Sequence, residues 1–236
     1  MRTSSSPRVW GAFDAVFRRY RDLHLERVLM GGLPDPAPAG PLLLVANHTS
    51  WWDGFLLREV QRRLRPHGRP YTVMLDRELG RRPLLRLLGG VGITPGDTAG
   101  LRRAVATLVE ARRSHAEDFV LFFFPQGRIW PSHRRPLGFE PGIERLAEVL
   151  APATILPVGI HLEPLNAAAP TACLLAGEPI PVGGRRVGLR EIEGSVWLQV
   201  DRLHRLTAQY GEDLPRVWDD AARVITSALP VQEVRP

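Results

Sequence analysis

"PLLLVANHTSWWDGFLLREVQRRL", residues 41 to 64, decides the architecture. Its first six residues are all apolar, the mark of a strand buried on both faces. A short polar turn follows. From Ser50 onward the apolar residues return with charged ones between them, and the stretch reads as a helix. A strand that passes straight into a helix is the unit of α/β folds.

The same alternation continues in both directions. "YTVMLD" (71 to 76), "VGIT", "FVLFFF" (119 to 124), "TILPVGI" (154 to 160) and "TACLLAG" (171 to 177) read as strands. "RRPLLRLLG" reads as a short helix ending at Gly89, and "DTAGLRRAVATLVEARRS" as an amphipathic helix capped by Asp97. Pro157 confines its strand to an edge, a bulge or a strand end. "SVWLQVDRLHRLTAQYG" and "DLPRVWDDAARVITSAL" are two C-terminal helices.

At the other end, residues 1 to 7 read as a flexible tail. Residues 8 to 30 read as a helix whose apolar face holds Trp10, Phe13, Val16, Phe17, Tyr20 and Leu23, with Arg18, Arg19 and Arg21 off its centre. Such a face packs on a core or lies in a lipid interface. "GGLPDPAPAG" (31 to 40) is a turn-rich connector, and "PVQEVRP" is a polar tail. The expected architecture is α/β: residues 1–30 form a tail and helix, and residues 31–236 a single domain. That domain has a mixed, largely parallel sheet flanked by helices.

Composition narrows the chemistry. The 236 residues are 44% hydrophobic and 24% charged, as in ordinary globular proteins. All 31 basic residues are arginine. No phosphate-loop or Schiff-base lysine exists. The lone Cys173 excludes an internal disulfide and a multi-cysteine zinc site. A net charge of +6 favours an anionic partner. Charge is all that speaks for nucleic acid, since no recognised binding motif appears. No stretch reaches the ~20 apolar residues of a membrane span, and the first residues lack a signal-peptide core. The expectation is a cytoplasmic protein, peripheral on the inner face of a membrane.

Two stretches carry candidate chemistry. In "NHTSWWD", His48 and Asp53 flank the strand-to-helix junction. On a bare helix they lie about 140° apart, so only a turn before the helix brings them together. Joined, the carboxylate orients the imidazole and frees its other nitrogen to take a proton. Alternatively, Ser50-x-x-Asp53 is a capping box that only satisfies orphan amides. In "FFFPQGRIW", a buried strand ends in a turn where Gly127 amides and the Arg128 guanidinium suit an anionic or carbonyl ligand. The alternative is an ordinary turn with a solvated arginine. Trp51 and Trp52 line a channel, face lipid or enter the core. His133, Arg134 and Arg135 form a basic loop, either for an anionic ligand or simply solvated.

Together these blocks resemble the glycerolipid acyltransferase family, whose best-known members acylate lysophosphatidate (1-acylglycerol-3-phosphate). Its first motif, Asn-His-x4-Asp, is matched by Asn47, His48 and Asp53. Its Phe-Pro-Glu-Gly-Thr-Arg block aligns with Phe124-Pro125-Gln126-Gly127-Arg128-Ile129, and its Pro-Val block with Pro157-Val158. This chain has Gln126 for the glutamate, and Arg128 one position before the usual arginine. In the glycine-rich second block, Pro95 or Gly96 stands where arginine is usual, and Arg102 and Arg103 are the substitutes within reach.

The resemblance implies acyl transfer from a thioester, acyl-CoA or acyl-carrier protein, to a lipid alcohol, lysophosphatidate or a non-phosphate acceptor. His48 is then the general base oriented by Asp53. Asn47, Pro125, Gln126, Gly127, Arg128, Arg102 and Arg103 are the expected substrate-binding residues, and amides near Gly127 the expected oxyanion donors. No metal or redox cofactor is implied. A thioesterase of the same fold and a non-catalytic lipid-binding protein at a membrane surface are the alternatives.

Overall fold

The computed structural model describes residues 5–227. Residues 1–4 of the expected tail at 1–7, and the expected tail at 230–236, lie outside them. Among the described residues eight strands form one sheet: β1 Arg27–Gly31, β2 Leu42–Ala46, β3 Arg69–Leu75, β4 Gly90–Ile93, β5 Phe119–Phe123, β6 Ala153–Glu163, β7 Thr171–Ala176 and β8 Ile180–Val182. Their order is β1-β7-β6-β2-β5-β3-β4, with β8 also on β6. The five strands from β6 to β4 run parallel. β7 and β8 lie antiparallel to β6, and β1 parallel to β7. This is the mixed, largely parallel α/β sheet expected.

The helices are α1 Pro7–His24, α2 Asp53–Leu64, α3 Asp76–Arg81, α4 Thr98–Ser114, α5 Gly142–Leu150, α6 Leu189–Tyr210 and α7 Leu214–Ser227. β2 shows why both faces are covered. Leu42, Leu44 and Ala46 pack toward Leu56, Leu57 and Val60 of α2. Leu43 and Val45 pack into the opposite cluster with α4, α5 and α6. All five residues of β2 are fully buried. At roughly 1.5–3 kcal/mol for each large side chain, that burial holds the strand at the centre. As read from the sequence, Asp97 caps α4, accepting the Gly100 N–H at 2.8 Å.

Several elements differ from the expectation. Residues 27–31 continue as an edge strand rather than a helix, because β7 supplies five registered partners. Residues 83–86 form a 3-10 turn after the short α3. α5 and β8 were not foreseen, and α6 begins six residues before the expected start at Ser195. Ser5 and Ser6 are tied rather than free: Ser5 bridges Leu88, and the Ser6 N–H donates to Leu87. Pro157 sits inside β6, away from the sheet edge. On its outer side the ladder passes from β8 at Ile155 to β7 at Val158, so its missing N–H falls in the gap. There its carbonyl accepts the Gly177 N–H at 2.9 Å.

The expected apolar face of α1 splits in two. Phe17 stacks on Phe55 of α2 at 4.4 Å, and Phe13 on the same ring at 5.6 Å. Val16 and Leu23 are each 71% exposed. Arg58–Asp14 and Arg21–Glu59 ion pairs fasten α1 to α2. No helix among the described residues is long and apolar enough to cross a membrane.

Candidate active site

The carboxyl ends of β2 and its neighbour β5 meet at one place, where open parallel sheets gather their ligands. Asn47 and His48 follow β2, and Phe124 to Gln126 follow β5. Asn47 is 1% exposed and behaves as one more ladder residue. Its amide donates to the Ile160 carbonyl at 2.9 Å and its oxygen accepts the Ile160 N–H at 2.8 Å. His48 is thereby carried at the end of a strand fixed on both sides.

The turn from 48 to 52 folds the imidazole back onto the helix start. His48 Nδ1 lies 2.8 Å from Asp53 Oδ2. That carboxylate is fully buried and also accepts the Thr49 N–H at 2.5 Å, the Ser50 N–H at 2.9 Å and the Ser50 hydroxyl at 2.6 Å. The two readings of Asp53 are therefore compatible. It gathers the amides of the turn and orients the histidine together. A carboxylate can only accept, so the neutral ring carries its hydrogen on Nδ1 and leaves a lone pair on Nε2. The ring stacks on Phe124 at 4.5 Å and its side chain is 24% exposed. Nε2 has no hydrogen-bond partner among the described residues.

Gln126 works behind the histidine. Its oxygen accepts the His48 N–H at 2.6 Å, and its amide donates to the Leu137 carbonyl at 2.8 Å. It is 6% exposed. A glutamate supplies the acceptor but, ionised, has no hydrogen for Leu137. The departure at this position is thus matched to its surroundings. Pro125 accepts the Glu140 N–H at 2.9 Å. Gly127 has φ +65°, the left-handed region that glycine adopts without a Cβ clash. Its N–H donates to Phe124 at 3.1 Å, so the turn itself uses the amide suggested for an oxyanion.

Arg128 and Arg134 place their guanidinium carbons 4.0 and 3.4 Å from the Trp130 ring centre. Neither makes an ion pair among the described residues. The Trp130 backbone N–H donates to the His48 carbonyl at 2.8 Å, which ties the residue whose ring meets both cations to the histidine's backbone. Arg102 and Arg103 are not brought there. They are exposed on α4, Arg103 facing Asp97 at 3.5 Å. Their helix follows β4, three strand spacings or about 14 Å across the sheet from β2. Trp52 packs against Tyr20 at 5.4 Å, while Trp51 is 47% exposed.

Phe124, Trp130 and Thr49 join the site without having been singled out for it, whereas Ser50 stands with Asp53 as its capping-box spacing suggested. Of the three, only Phe124 carried a signal, as the last residue of an apolar run ending at the turn. Among the described residues no three His, Cys, Asp or Glu side chains gather as metal ligands.

A family model described as Acyltransferase matches residues 30–161, more than half of the chain. Among solved structures, the chain is similar to the 1-acyl-sn-glycerophosphate (LPA) acyltransferase PlsC from Thermotoga maritima. The TM-score is 0.53 at 23% identity, covering 75% of this chain and 72% of that one. At that identity the likeness is one of fold. No curated protein matches.

Proposed function

The chain belongs to the acyltransferase family, and from that premise we propose that His48 and Asp53 move a fatty acyl group from a thioester to a lipid hydroxyl. One observation carries this reading. His48 is held through Nδ1 by a buried carboxylate at 2.8 Å, while Nε2 stands unpartnered at the carboxyl ends of the parallel strands.

In the proposed step the acceptor hydroxyl gives its proton to Nε2 as its oxygen attacks the thioester carbonyl. Asp53 stabilises the imidazolium that forms. The tetrahedral intermediate then expels the thiolate, which recovers the proton, and the ester remains. General-base assistance of this kind contributes ~10²–10⁴ in rate. The donor is acyl-CoA or acyl-carrier protein, a co-substrate, and the step needs no metal or redox cofactor.

Arg128 and Arg134 support an acceptor with an anionic headgroup, as in lysophosphatidate. Among the described residues they are cations without carboxylate partners, anchored through Trp130 to the His48 backbone. Their guanidinium forks suit phosphate oxygens. The exposed side chains of Val16, Tyr20, Leu23 and Trp51 support peripheral attachment to a membrane. They lie along α1 and at the start of α2, beside the dyad.

The test is thiol release from palmitoyl-CoA by purified protein, with and without lysophosphatidate, lysophosphatidylcholine or monoacylglycerol, beside His48→Ala. Release that depends on acceptor and falls at least ~10²-fold in His48→Ala is the expected result. Equal release without acceptor makes the protein a thioesterase. Turnover unaffected by His48→Ala removes the dyad from the mechanism.

A further inference from the structure

A second group of hydrogen-bonding side chains gathers around the segment from 124 to 141, which joins β5 to α5 and bonds to the His48 carbonyl through Trp130. The Ser132 hydroxyl is 3.2 Å from His161 Nδ1 on β6 and 3.3 Å from His204 Nε2 on α6. His161 Nε2 lies 3.1 Å from Glu163 Oε2. Arg135 approaches His204 Nδ1 at 3.4 Å. The two imidazoles meet edge to face with their centres 4.7 Å apart.

The inventory of donors and acceptors gives this chain one direction. A guanidinium only donates, so His204 Nδ1 accepts and Nε2 carries that ring's hydrogen toward Ser132. A carboxylate only accepts, so His161 Nε2 carries the hydrogen and Nδ1 accepts the Ser132 O–H. The sequence is Arg135 to His204 to Ser132 to His161 to Glu163, complete with both imidazoles neutral. Burial favours that state, pushing both histidines down to about 4. Ser132 is the junction, joined through its one hydroxyl to two separate elements.

A connection of this length holds a single course only where it is tied down. Gln126 and Leu137 are joined to each other, and the Gly138 N–H donates to Glu193 at 2.7 Å. Between them, the hydrogen bonds to other elements are Trp130 to His48 and the Ser132 and Arg135 contacts with His161 and His204. That stretch carries Arg128, Trp130 and Arg134.

We propose that Ser132, clamped by His161 and His204, is a positioning residue for the acyl acceptor. It holds the 128–135 stretch so that the Trp130 N–H stays on the His48 carbonyl and both arginines stay beside the dyad. The kinetic part rests on the function proposed above. The positional part does not. The Ser132 O–H meets a carboxylate-backed imidazole while its oxygen accepts from His204, so labelling separates a held hydroxyl from a nucleophilic one.

The experiment compares wild type, Ser132→Ala and Ser132→Thr in two readouts. The first is the KM for lysophosphatidate and for palmitoyl-CoA. The second is hydrogen exchange of peptides spanning 125–141, beside the thermal midpoint. Losing one or two neutral hydrogen bonds should loosen the stretch about tenfold. The expected result for Ser132→Ala is an acceptor KM about tenfold higher, an unchanged donor KM and faster exchange confined to 125–141, with Ser132→Thr restoring each.

Unchanged acceptor KM and unchanged exchange overturn the proposal, as does a loss spread over the whole chain. Labelling of Ser132 by a fluorophosphonate also overturns it, since the hydroxyl is then a nucleophile. If wild type shows no acyl transfer, the proposed function fails, and exchange alone decides: local loosening supports the clamp, and none overturns it.

Discussion

The side-chain oxygen of Gln126 takes the backbone N–H of His48 at 2.6 Å, across 78 residues of sequence. The same amide group donates to Leu137 at 2.8 Å. One buried side chain thus couples the histidine to the segment that returns over the site. Gln126→Glu keeps the first contact and replaces the second by a carboxylate facing a carbonyl oxygen. The expected cost is about 1–3 kcal/mol of stability, the usual penalty for a buried group left unpaired. Chemical denaturation measures it. Gln126→Met, which removes both contacts, should leave the His48 N–H unsatisfied and cost a similar amount.

Asp53 offers the sharpest separation of orientation from charge. Four donors converge on it within 2.9 Å, including both amides of the turn. An asparagine in its place would present one oxygen and one NH2 where four hydrogens already point. Asp53→Asn should therefore lower kcat by ~10² or more through loss of the imidazolium's partner. It should also lower stability, by about 1–3 kcal/mol. Asp53→Glu retains the charge and adds a methylene at a fully buried position. Its kcat should also fall, and full activity in that variant would refute the carboxylate's geometric role.

Much of the fold and of the dyad was legible, for identifiable reasons. β2 and β5 were plain because strands buried on both faces read as unbroken apolar runs. Asp97 capped α4 as read, because capping is local. β1 was hidden: the helix reading ran on to residue 30 past the last residue of its apolar face, Leu23, and only pairing with β7, some 144 residues on, makes residues 27–31 a strand. The dyad was visible because its partners stand five residues apart. The double contact of Gln126 and the clamp on Ser132 were not, since their partners lie 11, 29, 72 and 78 residues away. Side-chain hydrogen bonds over such separations leave no periodic trace.

His161 and His204 should make the fold sensitive to acid. Burial holds His161 down to about 4. Burial, followed by the charges of His161, Arg135 and His133, does the same for His204 against the opposing pull of Asp201. His161 also faces Glu163 and pairs across the sheet with Cys173, which burial holds up at about 12. An unfolded histidine titrates near 6.5. Between about 6.5 and 4 the unfolded chain therefore binds protons that the folded chain refuses. Stability is complete above that window and falls as pH drops through it. The thermal midpoint should decline from pH 7 to pH 5, with a shallower slope in His161→Gln/His204→Gln. An equal slope in that variant would assign the acid sensitivity to other groups.

The outer side of α1 makes a prediction about surfaces. Val16, Tyr20 and Leu23 follow one another at helical steps of four and three, and Trp51 lies 6.3 Å from the Tyr20 ring. Val16 and Leu23 are each 71% exposed, unusual for large apolar residues arranged in line. Arg18 and Arg19 are exposed on the same helix, and the whole chain carries +6. An amphipathic helix of this kind rests on a membrane by burying apolar area while its cations meet anionic headgroups. Each buried side chain is worth roughly 1.5–3 kcal/mol. Binding to phosphatidylcholine vesicles should strengthen with added phosphatidylglycerol and weaken with salt, as screened charges do. Val16→Glu and Leu23→Glu should each weaken it by about tenfold or more. Both positions face away from α2, so the thermal midpoint should hold. Sedimentation with vesicles decides the matter: if both variants bind as wild type does, the exposed line is not the membrane contact.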